Sequence, residues 1–182
     1  MKKITFLITL WLVVLWICFT APMTYGQTSV ILGDSWASEN TAFECPIEGT
    51  LLGVDGISLD DITDTVARME TTPVEVVYIF GGVADLFRAA GWPAADWKTN
   101  LNATLYNAAL ADQLLLIEQC KVTFCTSNIY ASSPKTMMQF LINNPTLSKD
   151  GAHLSEAGWV AFLATGPYRR IPLTDTRDDK CP

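Results

Sequence analysis

The chain has 182 residues, with 12 basic side chains against 19 acidic ones and a formal net charge of −7. This acidic balance argues against nucleic acid and anionic membrane surfaces as partners. The residues that follow an N-terminal leader are enough for one hydrophobic core, and we interpret residues 27–182 as a single domain.

Residues 1–26 have the pattern of a secretory signal peptide. Two lysines come first, an apolar run over 4–21 follows, and Thr24 and Gly26 are small enough for the −3 and −1 positions of a signal-peptidase site. The run is nearly long enough to cross a bilayer, so the alternative is an uncleaved membrane anchor. We therefore predict a secreted or extracytoplasmic protein, whose contact with a membrane is limited to an uncleaved N-terminal segment.

Four short apolar runs predict β-strands, over residues 29–32, 50–54, 74–80 and 121–126. Their apolar residues are continuous rather than alternating, which indicates strands that are covered on both faces. Helical patterns lie between and after them, over about 59–70, 94–118, 134–142 and 155–164. This alternation predicts an α/β fold, a three-layer sandwich with a mostly parallel sheet between helices.

Four cysteines follow the predicted leader, and an even number in an exported chain permits two disulfides. Cys120 and Cys125 flank the predicted fourth strand, and five strand steps separate them by about 16 Å, too far for a bond. Each is therefore predicted to pair with Cys45 or Cys181, unless Cys125 is a buried thiol. No CxxC motif or Cys/His cluster occurs, so no zinc site is predicted.

The single histidine, His153, decides which serine chemistry the chain can perform. It lies in Asp150-Gly151-Ala152-His153, while Ser35 follows the first predicted strand in Gly33-Asp34-Ser35. These are the parts of a Ser-His-Asp triad, in which the carboxylate orients the imidazole and the imidazole accepts the serine proton. Ser35, like Gly56 and Gly82, follows the carboxyl end of a predicted strand, where sites in parallel sheets form.

With these residues the chain resembles the SGNH/GDSL hydrolases, in blocks that span almost all of the predicted domain. The first block is Gly33-Asp34-Ser35-Trp36, where the family commonly has Gly-Asp-Ser-Leu, and the last is Asp150-Gly151-Ala152-His153. The resemblance implies a flavodoxin-like sheet and ester hydrolysis. It also implies Ser35 as nucleophile, His153 as base and Asp150 as its partner, with no metal or organic cofactor.

The other two blocks concern the oxyanion hole. Residues 51–58 resemble family versions in which the N–H groups of Ser35 and Gly56 bind the oxyanion, with Gly53 as the alternative to Gly56. The third block departs, because the family has Gly-x-Asn-Asp and the chain has Ala84 in place of the asparagine donor. We name Asn128, at the end of the predicted fourth strand, as the candidate replacement that contacts the substrate.

The predicted partner is a small-molecule or carbohydrate ester. The domain is short for the family, which leaves little sequence for a lid or a long acyl tunnel, so we favour a short acyl group such as acetyl on a carbohydrate. The alternative is an inactive or weakly active module that binds a glycan or a protein, with Ala84 as one sign of a decayed site. A third option is an acyltransferase that uses the same serine, but the sequence indicates no acceptor site.

Overall fold

The fold is built on a parallel sheet, in a computed structural model that describes residues 29–38 and 49–165. Within these residues the strands are β1 (Ser29–Gly33), β2 (Gly49–Gly53), β3 (Val76–Phe80) and β4 (Ile129–Ala131). They are hydrogen-bonded in the order β2-β1-β3-β4, and every pair is parallel. The order reverses at β1, so the carboxyl ends of β1 and β3 form the switch point at which ligands bind in such sheets.

Helices connect the strands and cover both faces of the sheet. They are α1 (Ser35–Ser38), α2 (Leu59–Ala67), α3 (Val83–Ala90), α4 (Trp97–Asn100), α5 (Ala103–Thr123), α6 (Pro134–Asn143) and α7 (Glu156–Thr165), with a 3-10 helix at Pro145–Leu147. None of the helices in the described part of the chain is long and apolar enough to span a membrane.

Two apolar cores lie on opposite faces of the sheet, because neighbouring residues of a strand point to opposite sides. Leu32 and Ile79 face α2 and α5, in a core that includes Leu59 and Leu116. The alternate strand residues, such as Phe80, face α1, α3, α6 and α7. Each fully buried large apolar side chain contributes about 1.5–3 kcal/mol. Helices packed on both faces of a parallel sheet confirm the predicted three-layer α/β sandwich.

Close packing at one glycine brings the functional end of β1 against β3. A Cβ atom on Gly33 would overlap the backbone oxygen of Phe80. Gly33 pairs with Phe80 at the last position of both strands. The residues that follow, Asp34 on one strand and Gly81 on the other, therefore emerge side by side at the carboxyl edge.

The predicted strand over 121–126 is wrong, because residues 121–123 are the last turn of α5. The N–H of Phe124 still donates to the carbonyl of Cys120 at 2.9 Å, which is helical spacing. β-Branched residues, such as those at 122 and 123, favour strands. Here helix packing buries Cys120 and Phe124 in one core and overrides this strand propensity. The predicted long helix over 94–118 is divided into α4 and α5, because Asn102 caps a new helix.

Sequence reasoning missed α3, although its pattern was available. Buried apolar residues recur at Val83, Leu86, Phe87 and Ala90, at the i, i+3, i+4 and i+7 spacing of an amphipathic helix. The turn before it uses Gly82 at φ +97°, a conformation that glycine adopts readily.

The disulfide predictions for the two described cysteines are not supported. Cys120 and Cys125 are both free thiols, while Cys45 and Cys181 lie outside the described residues, as does the predicted signal segment. Cys120 is buried in α5, and burial raises the pKa of its thiol to about 12. Cys125 is exposed rather than buried, so the alternative interpretation as a buried thiol is also wrong.

Candidate active site

Ser35 is the first residue of α1, just beyond the carboxyl end of β1. Its N–H group therefore has no partner within that helix. Its Oγ lies 2.9 Å from Nε2 of His153, although the two residues are 118 positions apart in the chain. The fold thus brings the serine within hydrogen-bond distance of the only histidine in the sequence.

Asp150 lies beside the imidazole of His153, in the loop between the 3-10 helix and α7. Its Oδ2 is 2.6 Å from Nδ1 of His153, and its Oδ1 accepts the N–H groups of Ala152 at 2.9 Å and His153 at 2.8 Å. Burial alone would raise the pKa of Asp150, but these hydrogen bonds lower it to about 2. The ionised carboxylate accepts the Nδ1 proton, which leaves Nε2 to accept the hydroxyl proton of Ser35.

Hydrogen bonds between the two ends of the loop that carries His153 close this loop. Oγ of Ser148 donates to the carbonyl oxygen of His153 at 2.9 Å and accepts the N–H of Gly151 at 2.7 Å. The N–H of Lys149 donates to the same carbonyl at 3.0 Å. Gly151 has a φ of +91°, which favours glycine. These contacts fix the turn that holds Asp150 against the imidazole.

Asp34, the neighbour of Ser35, is a fully buried carboxylate that joins two loops of the site. Its Oδ1 accepts the N–H of Trp36 at 2.9 Å. Its Oδ2 accepts the N–H groups of Gly82 at 3.1 Å and Ala84 at 2.9 Å. Burial raises the pKa of Asp34 to about 6, although the backbone donors act in the opposite direction. Asp34 therefore fixes the start of α3 beside Ser35.

The raised pKa of Asp34 predicts a stability that falls between about pH 4 and pH 6. The folded chain binds this proton more tightly than the unfolded chain, so the stabilisation is complete below the ordinary pKa of 3.8 and is lost as the pH rises through about 6. Two pKa units correspond to a loss of up to about 3 kcal/mol. Urea unfolding of the wild type and of Asp34→Asn across this range measures it, because asparagine does not titrate. A difference in unfolding free energy that stays constant with pH would contradict the prediction.

Gly56, the predicted oxyanion donor, lies in an exposed turn after β2 with a φ of +67°. Nη2 of Arg88 donates to its carbonyl oxygen at 2.8 Å, and Oδ2 of Asp85 accepts the N–H of Leu59 at 3.0 Å. Burial raises the pKa of Asp85. Two residues of α3 thus hold this turn. Gly53, the alternative donor, ends β2 where α1 approaches too closely for a Cβ atom.

Ala84 occupies the first turn of α3 and is half-buried. Its N–H is already donated to Asp34, and its methyl group has no donor to offer. The position at which the resembling family has an asparagine side chain therefore supplies no hydrogen bond to an oxyanion here.

Asn128, the predicted substrate contact, lies at the opposite edge of the sheet from Ser35. It precedes β4, its carbonyl accepts the N–H of Val77 at 3.0 Å, and its Nδ2 donates to the carbonyl of Glu75 at 3.1 Å. Because the strands are parallel, this is their amino edge, whereas Ser35 follows the carboxyl end of β1. The prediction is wrong because β4 begins only at Ile129.

Sequence reasoning also missed two buried side chains that support the site. Nε2 of Gln113 donates to the carbonyl of Ser132 at 2.7 Å and approaches that of Gly81 at 3.4 Å, so it joins the ends of β3 and β4. Nε1 of Trp36 donates to the carbonyl of Ala152. The available signals were a polar residue on the apolar face of a predicted helix and a tryptophan where the resembling family commonly has leucine.

Comparisons with known proteins give a structural likeness. No family model matches the chain, and no curated protein matches it. Among solved structures, the chain is similar to Axe2, an acetylxylan esterase from Geobacillus stearothermophilus, with a TM-score of 0.47 and 13% sequence identity, over 84% of this chain and 98% of that one. The fold assignment rests on the sheet and layers described above.

Within residues 29–38 and 49–165, no group of three His, Cys, Asp or Glu side chains is arranged to hold a metal ion.

Proposed function

We propose that the protein is a serine esterase that hydrolyses carboxylic esters through Ser35, His153 and Asp150. The proposal rests on two consecutive contacts, 2.9 Å from Ser35 Oγ to His153 Nε2 and 2.6 Å from His153 Nδ1 to Asp150 Oδ2. Backbone hydrogen bonds to Asp34 and Asp150 hold both ends of this chain of contacts. A site held in this way needs little reorganisation before reaction.

In the acylation step, Oγ of Ser35 attacks the ester carbonyl carbon while Nε2 of His153 accepts the hydroxyl proton. Asp150 stabilises the imidazolium cation, which gives the proton to the alcohol oxygen as the ester C–O bond breaks. The alcohol leaves and the acyl group stays on Ser35. The N–H groups of Ser35 and Gly56 are the proposed donors to the negatively charged carbonyl oxygen.

In the deacylation step, water takes the place of the alcohol. His153 accepts a proton from the water as the water oxygen attacks the acyl carbon, and a tetrahedral intermediate forms. When this intermediate collapses, the bond to Ser35 Oγ breaks, His153 returns the proton to Oγ, and the carboxylic acid leaves.

We favour a short acyl group, such as acetyl on a carbohydrate, as the substrate. The described loops that directly follow β2, β3 and β4 at the carboxyl edge of the sheet, 54–58, 81–82 and 132–133, are short. Loops of this size offer little apolar surface to cover a long acyl chain, whose binding depends on buried apolar area. The export proposed from residues 1–26 would bring the enzyme to extracellular or cell-surface esters.

The test is hydrolysis of p-nitrophenyl acetate, butyrate and octanoate by the full chain, purified in a glycoside detergent. We expect the acetate ester to have the highest kcat/KM, and acetylated oligosaccharides to release acetate. A fluorophosphonate should form one covalent adduct, which peptide mass spectrometry should locate at Ser35. If no ester is turned over and no adduct forms, the esterase proposal is wrong.

Ala84 favours one second candidate, a module of the same fold that binds a glycan or a protein without hydrolysing it. Loss of one oxyanion donor typically lowers kcat by about 10²–10³. Such a module would keep the contacts of Ser35 and His153 but would not hydrolyse esters. An added donor at position 84 would not make it hydrolyse them.

Ala84→Asn is expected to raise kcat for p-nitrophenyl acetate by up to about 10²-fold, because its amide would add a donor to the oxyanion. The matched control is Ala89→Asn, which makes the same change at an exposed position of the same helix. Steady-state rates of both variants against the wild type measure the effect. Equal rates in all three proteins would mean that the oxyanion does not form beside residue 84.

A further inference from the structure

The indole of Trp36 links the helix that carries Ser35 to the loop that carries His153. Trp36 is buried, with 1% of its surface exposed. Its Nε1 donates to the carbonyl oxygen of Ala152 at 2.9 Å, across 116 positions of the chain. Its ring makes edge contacts with Trp159 at 5.4 Å and Phe162 at 5.8 Å between centroids, both on α7. The tryptophan thus packs against the element that follows the histidine loop.

The bond from Trp36 acts on the peptide group that leads into His153. The carbonyl of this peptide, from Ala152, accepts the indole N–H, and its N–H, from His153, donates to Asp150. Both polar groups of one peptide plane are therefore held, and this plane sets the direction in which the His153 side chain leaves the backbone.

The same tryptophan is also fixed on the nucleophile side. It directly follows Ser35, and its own N–H donates to the buried carboxylate of Asp34 at 2.9 Å. One residue thereby ties the backbone at Ser35 to the backbone at His153. A leucine at this position, as the resembling family commonly has, could pack in the same core but could not donate a hydrogen bond.

The geometry points to Trp36 as a positioning residue, whose indole N–H holds the Ala152–His153 peptide so that Nε2 of His153 stays in reach of Ser35 Oγ. This inference rests on the proposed esterase function. Such a role acts on the rate of the chemical step, because a displacement of a base by about 1 Å can cost up to about 10²-fold in rate.

The first test compares Trp36→Phe with Trp97→Phe in the full chain. Phenylalanine keeps an aromatic ring but removes the donor, and Trp97 is a buried tryptophan of the same core whose ring packs on Phe87 in α3. We expect Trp36→Phe to lower kcat by about 10- to 100-fold with KM changed by less than about twofold. Trp97→Phe should lower the melting temperature by a similar amount and leave kcat unchanged.

The second test observes His153 directly, since it is the only histidine in the chain. Protein labelled with 15N-histidine and carrying no histidine tag gives one imidazole, whose nitrogen shifts report the tautomer and whose Nδ1 proton reports the bond to Asp150. We expect Trp36→Phe to weaken the Nδ1 proton signal through faster exchange with water, and Trp97→Phe to leave it as in the wild type. Unchanged spectra together with an unchanged kcat would overturn the inference.

A shape-preserving variant covers the case in which Trp36→Phe does not fold. Incorporation of β-(3-benzothienyl)alanine at position 36 keeps the two fused rings and replaces only the indole N–H by sulfur. The imidazole spectrum also separates this inference from the proposed function. If the wild type is inactive but its His153 signal changes with the residue at position 36, the esterase proposal is refuted and the positioning role is kept. If the wild type is active and the variants at position 36 change neither kcat nor the His153 signal, the positioning role is refuted and the esterase proposal is kept.

Discussion

Ser35→Ala is expected to abolish hydrolysis of p-nitrophenyl acetate, with a loss in kcat of about 10⁶-fold if Ser35, His153 and Asp150 act as one unit. The reason is that alanine leaves His153 with no hydroxyl to deprotonate, so no acyl-enzyme forms. The fold should survive, because the three backbone bonds to Asp34 do not involve the Ser35 side chain. Initial rates and melting temperatures of the purified variant measure both points.

The control for Ser35→Ala is Ser127→Ala, which makes the same change at an exposed residue near the amino edge of the sheet. This variant should keep the wild-type rate and should still form the fluorophosphonate adduct. A Ser35→Ala protein that hydrolyses the ester at the wild-type rate would assign the activity to another residue and remove Ser35 from the mechanism.

The parts of the fold that sequence patterns predicted are those in which local and tertiary preferences agree. β1 and β3 are runs of apolar residues buried on both faces, so their hydropathy alone identifies them. Residues 121–123 show the opposite case, because β-branched side chains there continue α5. The error moved the predicted strand end and, with it, Asn128 to the wrong edge of the sheet.

The candidate site was predictable to the extent that its chemistry lies in side chains. A chain with one histidine has one candidate for an imidazole base, and the sequence alone shows that Asp150 precedes this histidine by three residues. The proposed oxyanion donors are backbone N–H groups, and the directions of such groups depend on turn conformations such as that of Gly56. The bond from Trp36 to Ala152 spans 116 positions, and no local pattern encodes a contact of that range.

Asp34 and Trp36 together explain how residues far apart in sequence become one site. Asp34 binds the start of α3, which in turn holds the Gly56 turn through Arg88. Trp36 binds the histidine loop from the other side of Ser35. The residues on either side of Ser35 therefore connect the start of α1, through hydrogen bonds, to α3 on one side and to the loop of the proposed base on the other.

Asp150→Asn is expected to lower kcat for p-nitrophenyl acetate by about 10⁴-fold, the loss that follows when the carboxylate of such a triad becomes an amide. The asparagine Oδ1 can still accept the N–H groups of Ala152 and His153, so the loop should keep its shape. Its NH₂ group, however, would face Nδ1 of His153 and favour the tautomer with the proton on Nε2, which cannot accept a proton from Ser35.

The pKa of Asp150 also bears on the pH dependence of the wild-type rate. With a pKa of about 2, Asp150 stays ionised wherever the protein is assayed, so its titration adds no step to the wild-type rate profile. Asp64→Asn, at an exposed site on α2, is the matched control and should keep the wild-type rate. If Asp150→Asn kept the wild-type rate while its imidazole spectrum showed the Nε2 proton, the tautomer would not limit catalysis. Asp150 would then serve only to shape the loop through its bonds to the backbone.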